Sequence, residues 1–449
     1  MKANDMQVEK ILPESILRKS ASELSLLIAR REISSEQVVL AHLERMEQLQ
    51  PALNAAACIN RENALEDARA LDRQLAGGKV KGILHGVPFT VKDWIDVAGM
   101  PCAGADIKHA QRIPLRDATV VQRLKDAGGI VLAKSAVLVE SEVYGRVVNP
   151  HQASASPGGS SSGEAALIAA YASPLGIGSD SGGSIRQPAG YCGIAGLKPT
   201  SGRVPLTGHF PEINPLADPR TVIGPMARSV GDLWLALRVM AGQDGVDPSV
   251  VPVALNSPAE VSIRGMRVAF YTSIDEALNV ASVDEEIVAA VHDVAQYLAQ
   301  AGCHVQELSP PLAGEAMSIT RDYWARPESG SWDEWQVGGM KSTLSADQVE
   351  QHLFAWDKYR RSLLEFMSGV DIIICPVAER TAALSGENEG SVVFTAPYSL
   401  AGYPVVSMPV GMSSRGLPIG VQIIAAPWRE DRALAVALAI EKSFGGAPL

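Results

Sequence analysis

Cysteine is sparse and scattered. The five thiols, Cys58, Cys102, Cys192, Cys303 and Cys375, are odd in number, far apart and in no CxxC pair. That excludes a disulfide scaffold and a structural zinc site, and it reads as a reducing compartment, the cytoplasm. Long apolar runs are also missing. The longest, Ala165 to Ile177, is short, Ala-rich and broken by Pro174, so no segment is expected to span a bilayer. The start, MKANDMQVEKILPES, has no apolar stretch of signal-peptide length. Positive charge is in deficit: the net charge of −11 argues against nucleic acid or an anionic membrane as a partner. Aromatic residues are only 5% of the chain, so the grouping of Trp324, Trp332, Trp335 and Trp356 stands out. These tryptophans either line an apolar pocket mouth or pack a peripheral helical region at 310–360.

What is present is a mixture of helix and strand signals. Residues 1–75 read as helical, with capping-box patterns at Ser20-x-x-Glu23 and Ser34-x-x-Gln37 and apolar Val39, Leu43, Met46 and Leu49 at helical spacing. Residues 82–98 look like strands joined by a Gly-Val-Pro turn. A helix over 117–127 precedes a strand at 130–133. Residues 242–264, rich in Gly, Asp, Pro and Ser, read as a surface connector. Beyond it, a strand at 266–271, a helix capped by Ser282-x-x-Glu285 and a strand at CHVQEL form a βαβ unit. Further strands are expected at 371–377 and within 403–425. The alternation points to an α/β fold.

The chemistry is concentrated in residues 154–203. Two Gly-Gly-Ser turns, Gly158-Gly159-Ser160 and Gly182-Gly183-Ser184, flank an Ala-rich helical run. Glycines beside serine let the backbone bend sharply and gather N–H groups near one atom. A serine nucleophile with an oxyanion hole needs such a turn. Taken alone, Ser184 reads as a structural serine in a Gly-rich turn. Ser161, three residues before Glu164, reads as a helix cap. Lys92, among Val, Phe, Trp and Ile, is a candidate for burial. Burial lowers a lysine's pKa and turns its amine into a base. Read alone, it is a surface lysine beside Asp93.

These segments together resemble the amidase signature family. The resemblance rests on the two serine turns 24 residues apart (184 − 160), on GVPFTVKD around Lys92, on CGIAGLKPT and on LPIGVQ near the C-terminus. It implies one α/β domain over 1–449, with a mixed central β-sheet flanked by helices. It implies a Ser184–Ser160–Lys92 triad with a cis Gly159–Ser160 peptide, and an oxyanion hole of the Ser181, Gly182, Gly183 and Ser184 N–H groups. Asp180 and Arg186 brace the turn or touch substrate. No cofactor or metal is required. The implied reaction is hydrolysis of a non-peptide C–N bond in a linear amide, anilide or carbamate. The substrate is a small molecule, apolar or aromatic if the tryptophans line the pocket, and homodimerisation is left open. The sequence departs from the family pattern at Ser179, at Ser135-Ala136-Val137 and at Ser399, which bears on the pocket rather than on the triad.

Two other readings compete. Gly159-Ser160-Ser161-Ser162-Gly163 fits GxSxG, which makes Ser161 the nucleophile of an esterase with His151, His209, His292 or His304 as base. That motif needs an apolar strand before it, and NPHQASASP is not one. The other reading is an amidotransferase-type subunit that works within a complex. Cys192, beside the serine block, reads as a small buried apolar residue.

Overall fold

The computed structural model describes residues 13–213, 218–273, 282–311, 313–324, 345–387 and 389–445. Thirteen strands are described: β1 (Ala56–Ile59), β2 (Pro88–Lys92), β3 (Ile130–Ser135), β4 (Glu140–Ser141), β5 (Gly145–Arg146), β6 (Leu175–Asp180), β7 (Ala195–Lys198), β8 (Val222–Ala227), β9 (Arg267–Phe270), β10 (His304–Glu307), β11 (Ile372–Pro376), β12 (Val405–Met412) and β13 (Pro418–Ala425). Eleven of them form one sheet in the order β1-β3-β2-β6-β8-β7-β12-β13-β11-β9-β10. Strand β2 runs parallel to β3 and β6, and β9 runs parallel to β10 and β11. The remaining neighbours are antiparallel. The sheet is mixed, as the α/β reading expects.

Both faces are covered, so the central strands are buried along their length and largely apolar. Along β11, Ile372 and Ile374 join the largest core cluster, while Ile373 and Cys375 join a second one with Trp356, Tyr359 and Tyr398. The same alternation divides β2: Phe89 and Val91 point into the largest core, leaving Thr90 and Lys92 for the other face. On β6, Leu175 and Ile177 take the same side as Phe89. The intervening Gly176 and Gly178 leave room for the helix Ser162–Ala169, which lies on the side of Lys92. A Cβ at Gly178 would come within 2.9 Å of Ser161 Oγ.

The capping boxes at Ser20 and Ser34 form, and each begins a helix, Ala21–Ala29 and Ser35–Leu53. The βαβ unit also forms, with β9 and β10 parallel around the helix Glu285–Gln300. Its cap is Asp284 rather than Ser282. In 82–98 only Pro88–Lys92 is a strand. The preceding residues turn against the end of the helix Thr119–Asp126, with Leu84 N–H donating to Ala127 O at 2.9 Å and Gly86 N–H to Gly128 O at 2.9 Å. Those amides are committed to a loop and cannot extend a ladder. In the 310–360 region, helices Ala313–Trp324 and Ala346–Ser368 are described. Trp332, Trp335 and the Trp324 side chain lie outside the described residues. Trp356 is 5% exposed and its indole N–H donates to Leu400 O at 2.8 Å, so it is a core residue and does not line a pocket mouth.

Candidate active site

Strand β2 delivers Lys92 to its C-terminal end, wholly buried. Its neighbour Asp93 does not pair with it. Asp93 is bonded to Lys134 at 3.2 Å and accepts the Ala103 and Gly104 N–H groups and the Tyr144 hydroxyl. Lys92 Nζ lies 2.7 Å from Ser160 Oγ and 3.1 Å from Ser179 O, with the Trp94 ring 4.2 Å away. Burial pushes the amine well below its ordinary pKa, and the Asp180 and Glu164 carboxylates pull it partway back. That shift favours the neutral form of the amine, the form that can accept a proton.

Ser160 follows a cis Gly159–Ser160 peptide, and its carbonyl accepts Leu138 N–H at 3.0 Å. The first serine turn is tied to the second by Ser161 N–H donating to Ser184 O at 3.2 Å. Ser160 and the partly exposed Ser184 are thereby held in adjoining turns, with Lys92 behind them.

The second turn is built on Asp180. This wholly buried carboxylate accepts the N–H groups of Gly183 at 2.8 Å and Ile185 at 3.1 Å, and it pairs with Arg186 through Nε at 2.9 Å and a terminal nitrogen at 3.0 Å. Burial pushes Asp180 up, but the Arg186 charge and hydrogen bonds outweigh it and hold the carboxyl down to about 2. Arg186 reaches on to Thr395 O, Gln422 Oε1 and Ser399 Oγ, so the departure at Ser399 supplies an acceptor for this guanidinium. Both Asp180 and Arg186 are buried and committed to the turn, which favours bracing over substrate contact.

Gly183, at φ +138°, sits against Thr395, whose hydroxyl donates to Gly182 O at 2.6 Å. A Cβ at Gly183 would lie 2.6 Å from that hydroxyl oxygen. The Gly183 N–H donates to Asp180, which corrects the expectation that all four amides face an oxyanion. Ser181, Gly182 and Ser184 keep amides not committed to Asp180. The Ser181 hydroxyl bonds Thr221 at 2.6 Å, and Thr221 donates to Asp218 at 2.7 Å, steering the start of the turn.

Ser161 is wholly buried at the start of the helix Ser162–Ala169, with its hydroxyl 3.4 Å from Ser179 O. It forms no side-chain cap, and Glu164, the other half of the expected capping box, turns to the Thr90 and Ser135 hydroxyls. No strand precedes it. The strand-to-helix elbow that exposes a GxSxG nucleophile is therefore absent from this stretch, and the esterase reading of Ser161 falls. Cys192 is buried, and burial raises its thiol far above the range of a reactive thiolate.

Two residues near the site have places that the sequence reading missed. His209 is buried; its Nδ1–H donates to Pro211 O at 2.8 Å, which leaves Nε2 to accept from Ser179 Oγ at 3.1 Å. Burial pushes this imidazole down to about 4, so it stays neutral. Glu164 is visible in the sequence as a lone acid in the otherwise apolar and small-residue run Ser162–Ala169, a signal that capping explains equally well.

Among the described residues, no cluster of three or more His, Cys, Asp or Glu side chains could hold a metal ion, and no helix is long and apolar enough to cross a membrane. The family profile Amidase matches residues 37–334 and 320–434. The chain is 32% identical to a glutamyl-tRNA(Gln) amidotransferase subunit of Acidothermus cellulolyticus, over 96% of this chain and 95% of that protein. It is 31% identical to an acylamidase of Rhodococcus erythropolis, over 94% of each. The solved structure of a 6-aminohexanoate cyclic dimer hydrolase superposes with a TM-score of 0.82 at 28% identity, covering 95% of this chain and 97% of that one. With an eleven-stranded mixed sheet flanked by helices and a profile match across most of its length, the chain belongs to the amidase family.

Proposed function

We propose that this chain is a serine hydrolase of an uncharged amide or anilide, with carbamates as substrates of the same chemistry, and that residues 1–449 act as one catalytic domain. One observation carries the reading. A buried lysine amine, in no ion pair among the described residues, touches a serine hydroxyl whose turn is bonded to that of a second, partly exposed serine. The acylamidase and cyclic dimer hydrolase relatives support amide over carbamate.

The steps follow from these roles. Ser184 Oγ attacks the carbonyl carbon while its proton passes to Ser160, whose own proton passes to Lys92. The carbonyl oxygen becomes an oxyanion held by the Ser181, Gly182 and Ser184 N–H groups. As the C–N bond breaks, Ser160 protonates the leaving nitrogen and regains a proton from Lys92. An amine anion leaves poorly, so this return makes amides cleavable. Water then attacks the acyl-enzyme, gives its proton to the same relay, and releases the acid and Ser184.

The test is treatment with a fluorophosphonate, followed by intact mass and peptide mapping, with a panel of anilides, amides and carbamates assayed on the purified chain. The expected result is one adduct on Ser184 and turnover of at least one amide or anilide. An adduct on Ser161, or none on a folded chain, overturns the proposal. The amidotransferase relative favours a second reading, in which the chain works within a complex. A Ser184 adduct without turnover by the chain alone points that way.

A further inference from the structure

The relay asks two things of Lys92: that it be neutral at rest, and that it be basic enough to take a proton. Burial alone meets the first and works against the second. Two buried carboxyls act on Lys92: Asp180, which is already paired with Arg186, and one that is in no ion pair among the described residues. Glu164, on the helix Ser162–Ala169, is wholly buried. One of its oxygens accepts the hydroxyl of Thr90, two residues before Lys92 and on the same face of β2. The other accepts the hydroxyl of Ser135 at 2.6 Å, and Ser135 is the residue paired with Lys92 across β2 and β3. Strand β6 carries Gly176 opposite, where any Cβ would collide with the carboxyl group. Three strands and a helix thus leave a seat shaped for a carboxyl beside a layer of Ala165, Ile168, Ile185 and Ala189. A buried carboxyl is costly, and alanine would fill a purely structural position in this helix more cheaply.

Resting on the reading of Lys92 as the base, we propose that Glu164 is a positioning residue of the relay, whose negative charge stabilises the ammonium that Lys92 becomes and whose two hydrogen bonds hold β2 and β3 in the register that presents the amine to Ser160. The other charged or titratable groups near Lys92 and Glu164 are engaged elsewhere. Lys134 is paired with Asp93 and bonded to Ile95 O, Asp180 is paired with Arg186, and His209 is neutral. Glu164 is held by hydroxyls rather than by a cation. Its burial brings the carboxyl up to about 7, so its charge changes near neutral pH.

The experiment is the pH dependence of fluorophosphonate acylation at Ser184 in Glu164→Gln, with thermal unfolding measured alongside. Glutamine keeps the size and loses the charge, so the acid limb is expected to move to lower pH by roughly half a unit or more, with a lower plateau rate. A purely structural role would lower the rate evenly and leave the limb in place. If the glutamine variant does not fold, Ser135→Ala removes one hydrogen bond from the carboxylate and should move the limb the same way by less. An unmoved acid limb in a folded variant overturns the proposal. Lys92→Met is run in parallel: retained acylation there would sink the reading of Lys92, whereas loss there with an unmoved limb in Glu164→Gln sinks Glu164 alone.

Discussion

The proposed relay depends on a neighbour that declines Lys92. Asp93 adjoins Lys92 in sequence, yet it lies just past the end of β2 and its carboxylate meets Lys134. An amine paired with that carboxylate would stay charged and useless as a base. Lys92→Met should therefore lower the acylation rate of Ser184 by about a hundredfold or more. Because a buried amine is replaced by an apolar chain of similar size, the urea midpoint should stay at or above wild type. Stopped-flow labelling and urea titration read the two effects separately. A variant that loses both would mean that Lys92 is chiefly structural.

At the scale of elements, the turn from β6 into the helix Arg186–Cys192 is held by one ion pair with long reach. Asp180 gathers the turn's own amides, and Arg186 fastens it to Thr395, Ser399 and Gln422 from the C-terminal part of the chain. Arg186→Met would leave the buried Asp180 carboxylate without its counter-ion and take a donor from Gln422 Oε1, Ser399 Oγ and Thr395 O, the last of which keeps the Ser399 N–H. A loss of about 3–5 kcal/mol in urea is expected, together with slower labelling of Ser184 as the amides lose their alignment. A loss below about 1 kcal/mol would show that the turn is held by packing instead.

For the whole molecule, buried histidines link folding to pH. His42 lies in the helix Ser35–Leu53, wholly buried, with Nδ1 2.8 Å from Val38 O; burial pushes it down to about 4 from an ordinary value near 6.5. Between those values the unfolded chain binds the proton and the folded chain does not. Stability contributed by the neutral ring is thus present above about 6.5 and falls away as pH drops toward 4. Glu164 acts in the opposite sense: raised to about 7, it favours the folded state as pH falls. The clean measurement is the difference between wild type and His42→Asn, in which wild type loses urea stability relative to the variant from pH 6.5 to 4. Parallel curves would contradict the linkage.

Local patterns were legible without coordinates. The capping boxes at Ser20 and Ser34, the alternation of Pro88–Lys92, the βαβ unit around Glu285–Gln300 and the two serine turns each depend on residues within a few positions of one another. By itself the sequence determined which segments carry the candidate chemistry and that the fold is α/β. The tertiary structure alone decided who partners whom. Asp93 chooses Lys134, Glu164 abandons a cap for the seat beneath Lys92, Gly183 gives its amide to Asp180, and Trp356 goes to the core. The physical reason is that a buried polar group takes whatever partner strand register and packing bring within hydrogen-bond reach. Arg186 finds Gln422, 236 residues away, and no local spacing encodes that meeting.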